Sequence, residues 1–200
     1  MGYHCILIGH KNHPEVEGTM GQFDTSYGGT ITLIEDISDV EKLKFSESSK
    51  VAFVTQTTLS VDDTQELKDS LINKFPDIIG PKKDDICYAT QNRQDAVKQL
   101  ALESDLVIVI GSENSSNSNR LREIAERSGV KAYLIDSVGD LPAECLEGKK
   151  RIGLTSGASA PEHLVSEVID TLTKKYGFKL QGNKTRTDEG ISFRLPKGLR

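Results

Sequence analysis

Residues 105–129 read DLVIVIGSENSSNSNRLREIAERSG. An unbroken run of branched apolar residues ends at Gly111, and a helical pattern with Leu121, Ile124 and Ala125 on one stripe follows it. Between them, Ser and Asn fill seven of the eight positions from Ser112 to Asn119. A five-residue apolar run without alternation is the signature of a strand buried on both faces, as in a parallel sheet. The stretch therefore reads strand, polar turn, helix, which is the repeating unit of an α/β fold. One cap residue satisfies an ordinary helix start. So many small hydrogen-bonding groups in one such turn point to a ligand.

The same grammar recurs along the chain. YHCILIG (3–9), TITLIE (30–35), VAFVT (51–55), KAYLID (131–136) and RIGLT (151–155) are further short apolar runs. Helical stripes follow several of them. In 60–75 the expected stripe is Leu67, Leu71, Ile72 and Phe75, with Ser60 or Asp62 as cap. In 91–104 it is Ala96, Val97, Leu100 and Ala101. In 161–177 it is Leu164, Val165, Val168, Ile169 and Leu172, with Pro161 at the first helical position and Gly177 at the end. Alternation of strand and helix predicts parallel sheets. Two prolines, a glycine and a charge cluster in FPDIIGPKKDD (75–85) mark a boundary, giving α/β units at 1–83 and 84–178 and a tail at 179–200. In the tail, ISFRL (191–195) alternates like an edge strand. No tight internal repeat is visible in the sequence.

The bulk numbers exclude several classes. Of 200 residues, 36% are hydrophobic and 28% charged, with 25 Lys and Arg against 30 Asp and Glu, net −5. That balance argues against a nucleic-acid surface. No run has the length of a membrane span and no secretory pattern opens the chain, so the expected compartment is the cytoplasm. Three cysteines, Cys5, Cys87 and Cys145, lie far apart and form no CxxC, which disfavours a disulfide framework.

Three strand ends carry polar turns: TQTTLS (55–60), GSENSSNSN (111–119) and TSGAS (155–159). Ligands of open α/β sheets sit beyond the carboxyl ends of the strands, where helix N-termini offer free N–H groups to an anion. For Ser60 and Ser118 alone, helix capping is the preferred reading. A fourth strand end, GHKNHPEVEG (9–18), places His13 before Pro14 and Glu15 in a first helical turn. Three readings stand there: an anion-binding His13 with Glu15 as proton donor, a His10–His13 metal pair, or acidic residues that only complement a helix dipole. Spacing alone favours the last. Cys87, just ahead of a helical pattern, reads either as a small apolar residue or as a thiolate ligand.

Taken together, GHKNHPEVEGTMGQ, TQTTLSVDDT, GPKKDDICYATQNRQ, GSENSSNSNRL and GLTSGASAPEHLV resemble, in order, successive motifs of the 4-hydroxy-3-methylbut-2-enyl diphosphate reductase family. The resemblance implies two parallel-sheet α/β lobes of a three-lobed iron–sulfur enzyme of the non-mevalonate isoprenoid pathway. Such an enzyme removes the allylic hydroxyl of its diphosphate substrate reductively, using a reduced ferredoxin or flavodoxin. By the same resemblance Cys87 is a ligand of a 4Fe-4S cluster and Glu15 the proton donor. Thr57 lies beside the substrate's hydroxyl end. His13, Ser115, Ser116, Asn117 and Ser159 hold the diphosphate. The family has a further N-terminal lobe ahead of the segment matching ILIGH, with two more cluster cysteines and two more substrate-binding histidines. The expectation is thus a chain lacking that lobe, with one of three cluster ligands, inactive alone, whose ISFRL tail is disordered or pairs with another chain. The alternative expectation is a cluster-free diphosphate-binding α/β module.

Overall fold

The computed structural model describes residues 2–46, 48–181, 191–192 and 194–199. It contains two three-stranded sheets, both wholly parallel. The first comprises β1 (His4–Ile8), β2 (Thr30–Ile34) and β3 (Val51–Thr55) in the order β2-β1-β3. The second comprises β4 (Leu106–Ile110), β5 (Ala132–Ile135) and β6 (Ile152–Ser156) in the order β5-β4-β6. Each of the six apolar runs forms one strand. The helices are α1 (Pro14–Gln22), α2 (Ile37–Lys42), α3 (Val61–Lys74), α4 (Tyr88–Leu102), α5 (Ser116–Arg127) and α6 (Glu162–Lys174).

The two sheets repeat one plan that the sequence hid. In each, the first strand is central, the second and third flank it, and a helix leaves the central strand through a glycine, Gly9 or Gly111. The periodicity is architectural, with different residues filling equivalent places, so no sequence repeat marks it. Because β1 and β4 have neighbours reached in opposite directions, the crevice at each strand order's reversal opens at the carboxyl ends of β1–β3 and β4–β6.

Sheet faces are buried unequally. Ile6, Ile8, Ile34, Val51 and Phe53 pack with Val40 of α2 and Leu67 and Leu71 of α3 into one core. Both faces of the second sheet are covered: Leu106, Ile108 and Ile110 pack with Val168 and Leu172 of α6, and Val107 and Val109 with Val97 of α4 and Leu121, Ile124 and Ala125 of α5. The remaining face of the first sheet is a ladder of Cys5, Ile31 and Ala52, then Leu7, Leu33 and Val54. There only Leu7 is buried; the other five are half-buried.

Several local expectations need correction. Ile72 is 47% exposed, because, next in sequence to Leu71, it lies about 100° around α3 from the Leu67–Leu71 stripe, on the solvent side. On α4 the inward stripe runs through Gln94, Val97 and Ala101, while Ala96 is exposed. Pro161 is the N-cap of α6, one position before the helix, a place its missing N–H equally suits. Ser118 does not cap α5; Ser115 does, and Ser118 is buried beneath the helix start. Ser60 caps α3 as expected, accepting from the Asp63 amide at 3.2 Å. Short α2 carried no apolar stripe and was not anticipated; its start is capped by Asp36. In the tail, Ile191, Ser192, Arg194 and Leu195 are exposed and outside any strand, and Phe193 lies outside the described residues.

Polar contacts join α3, packed on the first sheet, to α5, packed on the second. Asp63 of α3 accepts both a 2.8 Å and a 3.0 Å bond from Arg127 of α5, and Arg120 approaches it at 3.6 Å. Partial burial works against the Asp63 charge. The Arg127 hydrogen bond and the two guanidinium charges outweigh that and hold its carboxyl below the ordinary aspartate range. A depressed folded pKa gives a stability contribution present above the unfolded value, about 3.9, and lost as pH falls through the folded value. Asp63→Asn is therefore expected to be less stable than the parent in urea unfolding at pH 7. The gap should close as the buffer is taken below about pH 3.9; a gap that stays constant with pH would contradict this seam.

Candidate functional site

The chemistry gathers at the carboxyl edge of the sheets, in two equivalent corners. In the first, His13 is the N-cap of α1 and its Nδ1 accepts the Glu15 amide at 3.2 Å. That bond leaves the Nδ1 lone pair occupied, so in the neutral ring the proton sits on Nε2, which remains a donor. Glu15 is the second residue of α1. Its Oε1 accepts the Thr57 amide at 2.9 Å and its Oε2 accepts the Thr57 hydroxyl at 3.1 Å. One residue thus grips both carboxylate oxygens from the β3–α3 loop. The hydroxyl can turn from donor to acceptor when the carboxyl takes up a proton, so the pair serves either protonation state.

In the second corner, Ser115 is the N-cap of α5 and Asn117 its second residue. By position, His13 and Ser115 correspond, and so do Glu15 and Asn117. Glycine makes both corners possible. A Cβ on Gly9 would strike the Val16 side chain and crowd Gln56, and one on Gly111 or Gly157 would strike Ser118. Val16 and Ser118 are the third residues of their helices, drawn down onto the glycine. The two helix starts therefore seat directly on the strand ends, with their second residues over the crevice.

Asn117 is the unusual residue of the pair. It is 6% exposed, and neither its Nδ2 nor its Oδ1 has a hydrogen-bond partner. A buried unsatisfied amide costs about 1–3 kcal/mol. Around it lie the Ser116 and Asn117 amides at the positive end of the helix dipole, and the Ser115 and Ser116 hydroxyls; the Ser118 amide is taken up by Ser115 Oγ. Such a set of neutral donors suits a small anion. Ser159 is exposed on the loop beyond β6, and no hydrogen bond joins it to Ser115, Ser116 or Asn117 among the described residues.

Two residues that spacing did not single out connect the corners. Gln56 is 1% exposed; its Oε1 accepts the His10 amide at 3.0 Å and its Nε2 donates to Thr58 Oγ1 at 2.9 Å. The Thr58 hydroxyl then donates to Ser116 Oγ at 3.0 Å. Only the density of polar residues in TQTT hinted at them. The His10 ring meets Arg120 at 3.2 Å and Glu35 at 4.0 Å while His13 caps α1, so the metal-pair reading, which spacing did not favour, gains no support.

Cys87 is exposed at the N-cap of α4, and its amide donates to the Thr57 carbonyl at 3.0 Å. The other two thiols are placed differently. Burial, with the Asp85 charge, pushes the Cys5 thiol up, and burial pushes Cys145 up. No group of three His, Cys, Asp or Glu that could hold a metal occurs among the described residues. An iron–sulfur cluster needs several thiolates. The described residues fit one ligand of it, Cys87, and do not complete a site. A cavity of about 350 Å³ lies at the opposite edge of the first sheet, beside Phe45, Phe75 and Lys74. The Lys74 ammonium is already bonded to the Val40 and Glu41 carbonyls, both at 2.7 Å.

Fold and site define an α/β protein with an unpartnered buried carboxamide at one helix start and a held carboxyl group at another, both at the mouths of parallel sheets. The LytB protein family model matches residues 1–173, and the chain belongs to that family. The 4-hydroxy-3-methylbut-2-enyl diphosphate reductase of Saccharophagus degradans is 61% identical over 199 residues, covering 100% of this chain and 64% of the relative. Among solved structures, the E-1-hydroxy-2-methyl-but-2-enyl-4-diphosphate reductase of Plasmodium falciparum superposes with a TM-score of 0.86. It is 38% identical, over 98% of this chain and 61% of that one. A structure of (E)-4-hydroxy-3-methyl-but-2-enyl diphosphate reductase, described as the terminal enzyme of the non-mevalonate pathway, matches with a TM-score of 0.51. It is 34% identical, over 86% of this chain and 60% of that one. The chain thus spans less than two thirds of the length of these relatives. No described helix is long and apolar enough to cross a membrane.

If Asn117 is kept for a ligand, replacing it with a shape-matched apolar residue relieves the empty protein. Asn117→Leu is expected to unfold at equal or higher urea concentration than the parent, a change of up to about 1 kcal/mol. It should also lose inorganic diphosphate affinity by at least tenfold in calorimetry. Clear destabilisation with binding intact would assign Asn117 to the core instead.

Proposed function

We propose that this chain is the substrate-holding and proton-delivering part of a 4-hydroxy-3-methylbut-2-enyl diphosphate reductase. The observation that carries the reading is the buried, unpartnered Asn117 amide at the start of α5. Ser115, Ser116 and Asn117 hold the diphosphate, joined by Ser159 and by the Nε2–H of His13. Neutral donors and a helix dipole bind such an anion without a lysine. Glu15, oriented by Thr57, protonates the departing allylic hydroxyl so that it leaves as water. The overall change takes up two electrons and two protons and yields isopentenyl or dimethylallyl diphosphate. Cys87 would be one ligand of a 4Fe-4S cluster completed from outside this span, and such a cluster would supply electrons from a reduced ferredoxin or flavodoxin. The protein works in the cytoplasm.

The units proposed are 1–83 with the carboxyl corner, 84–178 with the cradle and Cys87, and a tail from 179 to 200. The remaining cluster ligands belong to the part of the relatives' length outside the span of this chain. Support comes from the half-covered face of the first sheet, since parallel sheets are normally covered on both sides. The second reading, a cluster-free diphosphate-binding module, is favoured by the single cluster ligand among the described residues.

A chimera separates the two. This chain would replace the matching 64% of the Saccharophagus degradans reductase, to which it is 61% identical. The proposal expects anaerobic turnover of the allylic diphosphate. Glu15→Gln in that chimera should lower kcat by about 100-fold or more with KM nearly unchanged, the scale of a lost general acid. A chimera that folds, binds diphosphate and never turns over would favour the binding module.

A further inference from the structure

Cys87, Thr57 and Glu15 form one connected unit, and the residue that sets its geometry lies outside it. Residues 55–61, the loop that carries Thr57, are pinned from the α4 side at four atoms. Asp85 Oδ2 accepts the Thr55 amide at 3.0 Å, and the Cys87 amide donates to the Thr57 carbonyl at 3.0 Å. The last two belong to Gln94. Its Oε1 accepts the Val61 amide at 3.1 Å, and its Nε2 donates to the Leu59 carbonyl at 2.8 Å.

Gln94 sits on the inward stripe of α4, where Val97 and Ala101 make apolar contacts, and it is 1% exposed. Nothing in the packing of α4 calls for a carboxamide there. Its two ends instead meet a helix-start amide and a turn carbonyl of the other unit, neither of which has an intrahelical partner. The neighbouring Arg93 reaches the opposite way and donates to the Ser156 carbonyl at the end of β6, at 3.0 Å. Two consecutive residues of α4, the helix that follows Cys87, thus hold the mouths of both sheets.

We infer that Gln94 is a positioning residue: it fixes the 55–61 loop against α4, so that Thr57 meets the Glu15 carboxyl group at a set distance from Cys87. This rests on the reading of Glu15 and Thr57 given above. It adds a residue that touches neither substrate nor cluster and acts only through Thr57. The Ser115–Asn117 cradle meets this loop through one bond, Thr58 to Ser116, and its cap is otherwise made within α5, where Ser115 accepts the Ser118 amide.

Gln94→Met keeps the volume and removes both hydrogen bonds. In this variant, hydrogen exchange followed by NMR is expected to be at least tenfold faster at the Thr57 and Val61 amides. Protection at Val107, Val109 and Leu121 should match the parent. A purely structural role would speed exchange everywhere in proportion, and unchanged exchange at Thr57 would also overturn the inference. If the variant does not fold, exchange in the parent chain across a denaturant series decides. Thr57, Val61 and the Gln94 side-chain amide should then open in one step, and independent opening of Thr57 would overturn the inference. Loss of diphosphate binding in the parent chain itself would instead refute the cradle, a separate outcome.

Discussion

Everything at the site depends on a close approach that a side chain would forbid. Gly9 and Gly111 end the two central strands, and at each the third residue of the next helix occupies the space where a Cβ would stand. That contact lowers the helix onto the sheet. It presents the second residue, Glu15 in one unit and Asn117 in the other, over the mouth of the crevice. Gly157 gives Ser118 the same clearance from the β6 side. One backbone device, used twice, puts a carboxyl group at one corner and a carboxamide at the other.

The seam then turns two separate corners into one site. It is made of polar links with defined geometry: Thr58 to Ser116, Gln94 to the 59–61 turn, and Arg127 to Asp63. Such links are directional, so they fix register where an apolar contact would allow sliding. Asn117 keeps unsatisfied groups at this junction, a cost that the proposed anion would offset by supplying the missing bonds.

Much of this was legible in the chain. Six apolar runs bounded by turn residues gave six strands, because a strand buried on two faces leaves no room for polar alternation. Ser60 was readable as a cap because its hydroxyl needs only a local amide. What could not be read were relations between distant segments. Ser118 looked like a cap and is the residue seated on two glycines, one of which lies far along the chain at Gly157. Gln56 and Thr58 were legible only as members of the polar TQTT turn and Gln94 not at all, since key partners come from other strands and helices. The repeated plan of the two sheets was invisible because corresponding positions hold different side chains. Roles for Glu15 and Cys87 came from resemblance to a family, while their spacing in the chain fitted blander readings equally well.

The central claim is that the start of α5 is an anion cradle built around Asn117. A titration of ¹⁵N-labelled protein with inorganic diphosphate tests it most directly, read at the Asn117 side-chain amide and the backbone amides of Ser116 to Ser118. The account predicts saturable shifts at these groups, with the Asn117 carboxamide among the largest and the amides of β2 and α2 unmoved. Diphosphate that leaves the Asn117 amide unshifted, or that shifts only exposed lysines, would contradict it.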